Sequence, residues 1–144
     1  MRICLDLGGV FYAGASDEDN ALALQALLEA LIAINRVYIR RYGKRVRPLY
    51  NSGVRYGRTQ VWDSIPDLVT RRYGDCKSLT AMRIAELREA GANARPVFRF
   101  AVNPQTGQKD FHILVQLGKA FEDPSRKLGM EEYHRNKGIW AFPR

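Results

Sequence analysis

The chain has 144 residues, 46% of them apolar, and its 23 Lys and Arg against 15 Asp and Glu give a formal charge of +8. That length suits a single domain with one core, and two cysteines are too few for a disulfide scaffold. No apolar run approaches the roughly 20 residues that cross a bilayer, and Met1 to Leu7 lacks a long apolar region ending in a cleavage site, so a cytoplasmic or virion-associated setting and no membrane span are expected.

Ser16 followed by Asp17, Glu18 and Asp19 combines an N-cap side chain with acidic residues in a first turn, which predicts a helix from about Asp17. Leu24, Leu27, Leu28, Leu31, Ile34, Tyr38 and Tyr42 recur at three- and four-residue steps before Gly43, an amphipathic stripe expected to pack as core. From Gly43 to Thr70 the periodicity is lost amid Pro48, Gly53, Gly57 and Pro66, and the segment reads as a long ordered connection. Its Tyr50, Tyr56 and Trp62 either line a groove or anchor the loop. A second helix is expected from about Cys76 to Ala90, with Leu79, Met82, Ile84, Ala85 and Leu87 on its apolar side and Gly91 as its stop. Asp75 is placed to cap it. Strands follow at Arg95 to Val102, Phe111 to Leu117 and Ala120 to Asp123, joined by Asn103 to Gly107 and by Gly118-Lys119.

Cys76 therefore opens a helix, where backbone N–H groups and the macrodipole favour the thiolate, the form of cysteine that attacks carbonyls. If Gly118-Lys119 is a two-residue hairpin loop, Leu117 opposes Ala120, Gln116 opposes Phe121 and Leu114 opposes Asp123. His112 is then the diagonal neighbour of Asp123 on one sheet face, within reach of a hydrogen bond. That face, with Leu114 and Gln116, is expected to look towards a covering helix, while Phe111, Ile113, Val115 and Leu117 face the other way. A register slip of one residue would separate the pair.

The segments Tyr73-Gly74-Asp75-Cys76, Asp110-Phe111-His112-Ile113 and Phe121-Glu122-Asp123-Pro124, in that order, resemble the transglutaminase-like superfamily of cysteine peptidases and acyltransferases, a branch of the papain-like architecture. The likeness covers about Trp62 to Met130, and Trp62-Asp63-Ser64-Ile65-Pro66 resembles the lead-in of the bacterial transglutaminase-like peptidases. It implies Cys76 as nucleophile, His112 as general base and Asp123 as the group that orients the base. It also implies an oxyanion hole at the Cys76 backbone N–H, with Gln60 or Trp62 as second donor. The fold class expected is α+β, papain-like, with helices packed on a small antiparallel sheet. The chain is expected to form one transglutaminase-like domain over residues 1–144, with a core at about 17–130 and a C-terminal tail at 131–144.

The expected activity is thiol-dependent acyl transfer on amide bonds, as a cysteine peptidase or amidase with a Cys-His-Asp triad acting on a protein or peptide. Small size favours hydrolysis over transfer to an amine. No cofactor and no metal are expected, since neither cysteine has a metal-ligand spacing. Each residue taken singly has a plainer reading: Cys4 as a small buried hydrophobe, Cys76 as a packed thiol, His112 as a satisfied strand histidine and His134 as an exposed tail residue. The alternatives are a transglutaminase, or a non-catalytic basic interaction protein that keeps the fold, in which case a phage structural or assembly partner is conceivable. The basic residues are dispersed except between Arg40 and Arg47, so nucleic acid is a disfavoured partner. The tail aromatics Trp140 and Phe142 could dock on the domain, contact another subunit or block the groove.

Overall fold

A computed structural model describes residues 16–102, 109–130 and 139–142. Cys4, His134 and the Asn103 to Gly107 connection lie outside the described residues. The first helix, α1, runs Asp17–Tyr42; Ser16 Oγ accepts the Asp19 N–H at 3.1 Å at its start, and Gly43 ends it with φ 52°. Its packed face is Ala21, Leu24, Leu28, Leu31, Ile32 and Asn35. The expected stripe holds through Leu31 and then drifts: Ile34 is 53% and Tyr42 40% exposed, because Asn35 takes the inward position after Leu31 and Ile32. Fully buried Asn35 accepts the Ile65 N–H through Oδ1 at 2.9 Å and so ties α1 to the connection that follows. At 26 residues, α1 is long and apolar enough to cross a membrane by length and composition alone, contrary to the expectation of no such stretch. Its inward face is packed within the protein.

The segment after α1 holds more structure than its lost periodicity foretells. Two short turns of 3₁₀ helix, Gly43–Arg45 and Leu49–Asn51, lead into strand β1, Arg55–Tyr56, and then helix α2, Ile65–Arg71. The missed α2 has Ser64 at its N-cap position and proline in its first turn, a pattern suited to a helix start, but seven residues are too few to declare a helical period. Strand β2, Tyr73–Gly74, pairs parallel with β1, setting Tyr56 opposite Gly74. Helix α3, Cys76–Glu89, follows directly and is buried around most of its circumference from Cys76 to Ala85, as expected of a central helix.

The remaining strands are β3, Ala94–Val102; β4, Lys109–Leu117; β5, Ala120–Glu122; and β6, Ile139–Phe142; helix α4, Pro124–Lys127, follows β5. They form an antiparallel sheet in the order β5-β4-β3-β6. The fold is thus mixed helix and strand with a small antiparallel sheet. The tail expected beyond residue 130 contributes an edge strand, with Phe100 opposite Trp140 in the backbone register. The β4–β5 hairpin has the expected register, Leu117 opposite Ala120 and Gln116 opposite Phe121. Gly118, at φ 57°, is the first residue of the two-residue turn, where only glycine adopts the positive φ without strain.

Two apolar clusters hold these elements. One joins α1, α3 and the sheet through Leu28, Ile32, Ala81, Ile84, Phe98, Ile113 and Val115. The other gathers Leu49, Val54, Ile65, Leu68, Leu79 and Met82 beneath the connection. Ion pairs lace α3 to α1: Arg88 bridges Glu29 through two bonds, at 2.6 and 2.9 Å, and Arg36 and Arg40 grip Glu89 at 2.6 and 2.9 Å.

Candidate active site

Cys76 is the first residue of α3 and is 8% exposed. The backbone immediately before it is held by close packing: a Cβ on Gly74 would lie 2.5 Å from Leu68 Cδ1, so only glycine lets β2 run this near α2. Asp75 caps the helix as expected, its Oδ1 accepting the Lys77 N–H at 3.1 Å. The first N–H groups of a helix have no partner within it, so the Cys76 N–H remains directed out of the helix start.

His112 is brought to this thiol from the sheet. Its Nε2 lies 2.9 Å from Asp123 Oδ2, and Cys76 is near enough to the ring to raise its pKa. Burial favours neutral imidazole, but the hydrogen bonds to Asp123 and Cys76 outweigh it and raise the His112 pKa to about 9. For Asp123 burial again favours the neutral form, and the bond to His112 outweighs it, leaving the carboxyl below its ordinary value. Asp123 Oδ1 also accepts the Arg126 N–H at 3.0 Å, capping α4. The Asp-Pro step thus serves two ends: proline suits the first turn of α4, and the cap fixes the carboxylate that aims His112.

His112 reaches Cys76 by a different route from the expected one. The helices pack on the face of β4 that carries Ile113 and Val115, opposite to the His112 set. The start of α3 meets β4 at its backbone instead: Thr80 Oγ1, one turn beyond Cys76, donates to the Ile113 carbonyl at 3.2 Å. Strand β5 ends at Glu122, level with Val115, and Thr80 takes this carbonyl just past that end. One bond therefore joins the turn that carries Cys76 to the residue beside His112.

The loop from Gly57 to Ser64 is latched to the same first turn. Lys77, only 6% exposed, donates from Nζ to the Thr59 carbonyl at 3.1 Å, pairs with Asp75, and stands 5.9 Å from the centroid of the Trp62 ring. Ser78 Oγ accepts the Asp63 N–H at 2.9 Å, and Asp63 pairs with Arg71 at 2.7 Å. Burial raises the Asp75 pKa more than its bonds to Lys77 lower it. Of the two second-donor candidates, Trp62 is partly buried beside α3 and Gln60 is exposed in the loop.

Tyr56 was legible only as one aromatic among several in the connection. The ladder that sets it opposite Gly74 places it beside the strand that delivers Cys76. Burial first, and then the charge on Cys76, raises the Tyr56 pKa, so the phenol belongs to the sulfur's surroundings. Lys77 gave no signal in sequence, since a lysine in the first turn of a basic chain reads as solvated. Among the described residues no group of three His, Cys, Asp or Glu side chains could hold a metal ion.

The arrangement can hold a thiolate against an imidazolium that a carboxylate orients, at the start of a helix. No protein-family model matches the chain, and no curated protein matches it in sequence.

Proposed function

We propose that the protein is a cysteine acyl-transfer enzyme, acting as a peptidase or amidase, with Cys76 as nucleophile, His112 as acid and base, and Asp123 as the residue that positions His112. The observation that carries this reading is His112 held at 2.9 Å by Asp123, with Cys76 near enough to the ring to raise its pKa. A thiol, an imidazole and a carboxylate from the start of α3, from β4 and from the end of β5 supply the three residue types of a thiol triad.

In the proposed reaction the Cys76 thiolate attacks the amide carbonyl and forms the C–S bond. The oxyanion that develops is met by the Cys76 N–H at the helix start, with the Trp62 indole as the better-placed second donor. The C–N bond then breaks, and imidazolium gives its proton to the leaving amine. Neutral His112 next takes a proton from water as the oxygen attacks the thioester, which releases acid and returns the thiolate–imidazolium pair. An amine in place of that water would make the protein a transglutaminase. The α+β layering with a nucleophile at a helix start supports a papain-like, transglutaminase-like architecture. A cytoplasmic or virion-associated setting belongs to the same proposal.

The test is hydrolysis of fluorescein-labelled casein by the wild type and by Cys76→Ala. The wild type is expected to cleave it and the variant to be inert with an unchanged circular dichroism spectrum. A folded Cys76→Ala protein with wild-type turnover would refute the assignment.

A further inference from the structure

The face of the sheet that α1 and α3 do not fill carries a second feature beside His112. Arg99 stands directly opposite His112, Val97 opposite Leu114 and Arg95 opposite Gln116, while Phe121 on β5 also opposes Gln116. Directly paired residues share a face, so all these side chains lie with His112. The Arg99 guanidinium comes within 5.7 Å of the Phe121 ring centroid. The two thereby converge across the row of Leu114, which is 4% exposed although it belongs to neither core cluster.

This arginine is unlike the others nearby. Arg95 Nε donates to Gln116 at 2.9 Å, and Arg83 and Arg88 are each engaged by carboxylates. Arg99 Nε is buried and makes no hydrogen bond among the described residues. A buried donor on a group that is always charged carries a desolvation cost that a bound acceptor would relieve. The adjoining carboxylates are committed elsewhere: Asp123 to His112 and the α4 cap, Glu122 to Arg83 and Tyr50. Phe121, 53% exposed, also borders a groove of about 390 Å³ lined by Leu117, Ala120, Glu122, Asp123, Arg126 and Lys127, which Arg99 itself does not line. An aromatic ring against a guanidinium steadies its plane and leaves its edge N–H groups free for the two oxygens of a carboxylate.

We propose that Arg99 and Phe121 form a recognition subsite for a carboxylate-bearing stretch of peptide, so that the substrate of this site is an acidic polypeptide segment. The inference rests on the acyl-transfer reading for the subsite's relation to Cys76. The formal charge of +8 is complementary to such a partner.

The experiment uses rhodamine-labelled octapeptides that differ only in having Glu or Gln at their central positions, and reads fluorescence anisotropy with the Cys76→Ala protein, so that turnover is not needed. The Glu peptide is expected to bind about tenfold tighter at about 50 mM salt, the size of one charge-assisted contact. Adding Arg99→Gln should bring the two peptides level, Arg99→Lys should keep part of the preference, and Arg99→Glu should reverse it. Circular dichroism verifies folding, and the Lys variant decides if the Gln variant fails to fold. Equal binding of the two peptides by the parent, or an undiminished preference after Arg99→Gln or Arg99→Lys, would overturn the subsite. An inert wild type in the casein assay would instead overturn the acyl-transfer reading and leave this binding ratio to judge the subsite alone.

Discussion

Asp123 holds His112 Nε2 through one carboxylate oxygen, at 2.9 Å, and the Arg126 N–H through the other, at 3.0 Å. Each oxygen thus has its own partner, so the side chain that holds His112 is itself fixed by the start of α4. The position has little rotational freedom, and the imidazole inherits that order.

Asp123→Asn is expected to lower hydrolysis by about 10²-fold or more, because an amide can favour the wrong tautomer and cannot stabilise imidazolium. The pH profile should also move. With His112 raised to about 9, wild-type activity should fall as the pH passes that value and the proton for the leaving amine is lost. Removing the Asp123 bond, which raises that value, should bring this limb to lower pH. A profile of kcat/KM against pH that keeps its alkaline limb in Asp123→Asn would contradict the coupling.

The same shift has a consequence for stability. His112 binds its proton more tightly folded than at its ordinary 6.5, so the stabilisation is complete below that value and is lost as the pH rises through about 9. Chemical denaturation of the wild type and His112→Gln should therefore give a larger difference at about pH 6 than at about pH 10. An equal difference at both would mean that the folded protein does not favour the charged ring.

Lys77→Met should destabilise the fold by about 3 kcal/mol, since it leaves the buried Asp75 carboxylate without its cation and frees the Thr59 carbonyl. Gly74→Ala should cost about 1–3 kcal/mol through the clash with Leu68. Urea titrations measure both, and a neutral result at either would show that the latch or the close approach does not hold the helix start.

Binding to duplex DNA should be weak, without sequence preference, and should fall steeply with salt. Arg36, Arg40, Arg71, Arg83 and Arg88 are paired with carboxylates within the fold, which leaves less of the positive charge for a phosphate backbone. Tight binding at physiological salt in a filter or anisotropy assay would reverse this ranking of partners.

The pairing of His112 with Asp123 and the place of Cys76 at a helix start were readable because their geometry rests on local rules. A Gly-Lys turn sets the hairpin register, the register sets which residues share a face with His112, and Asp75 caps the helix that begins at Cys76. The side of the sheet that the helices cover was misread, because alternation along a strand separates two faces without saying which one a helix will choose. The α2 helix was hidden by its brevity. The burial of Lys77 depends on a contact with Thr59 across 18 residues, and β6 depends on pairing with β3 from the far end of the chain. Nothing in local periodicity announces either.

The most direct test of the account is to trap the acyl group on sulfur. The protein is mixed with p-nitrophenyl acetate, quenched in acid, digested and mapped by mass spectrometry, with Cys4→Ala as the parent to remove the second thiol. The account predicts one hydroxylamine-sensitive acetyl group on the peptide that contains Cys76, formed rapidly in the parent, slowly in Asp123→Asn, and not above background in His112→Ala. An unmodified Cys76 in the parent, or acetylation as fast in His112→Ala, would contradict it.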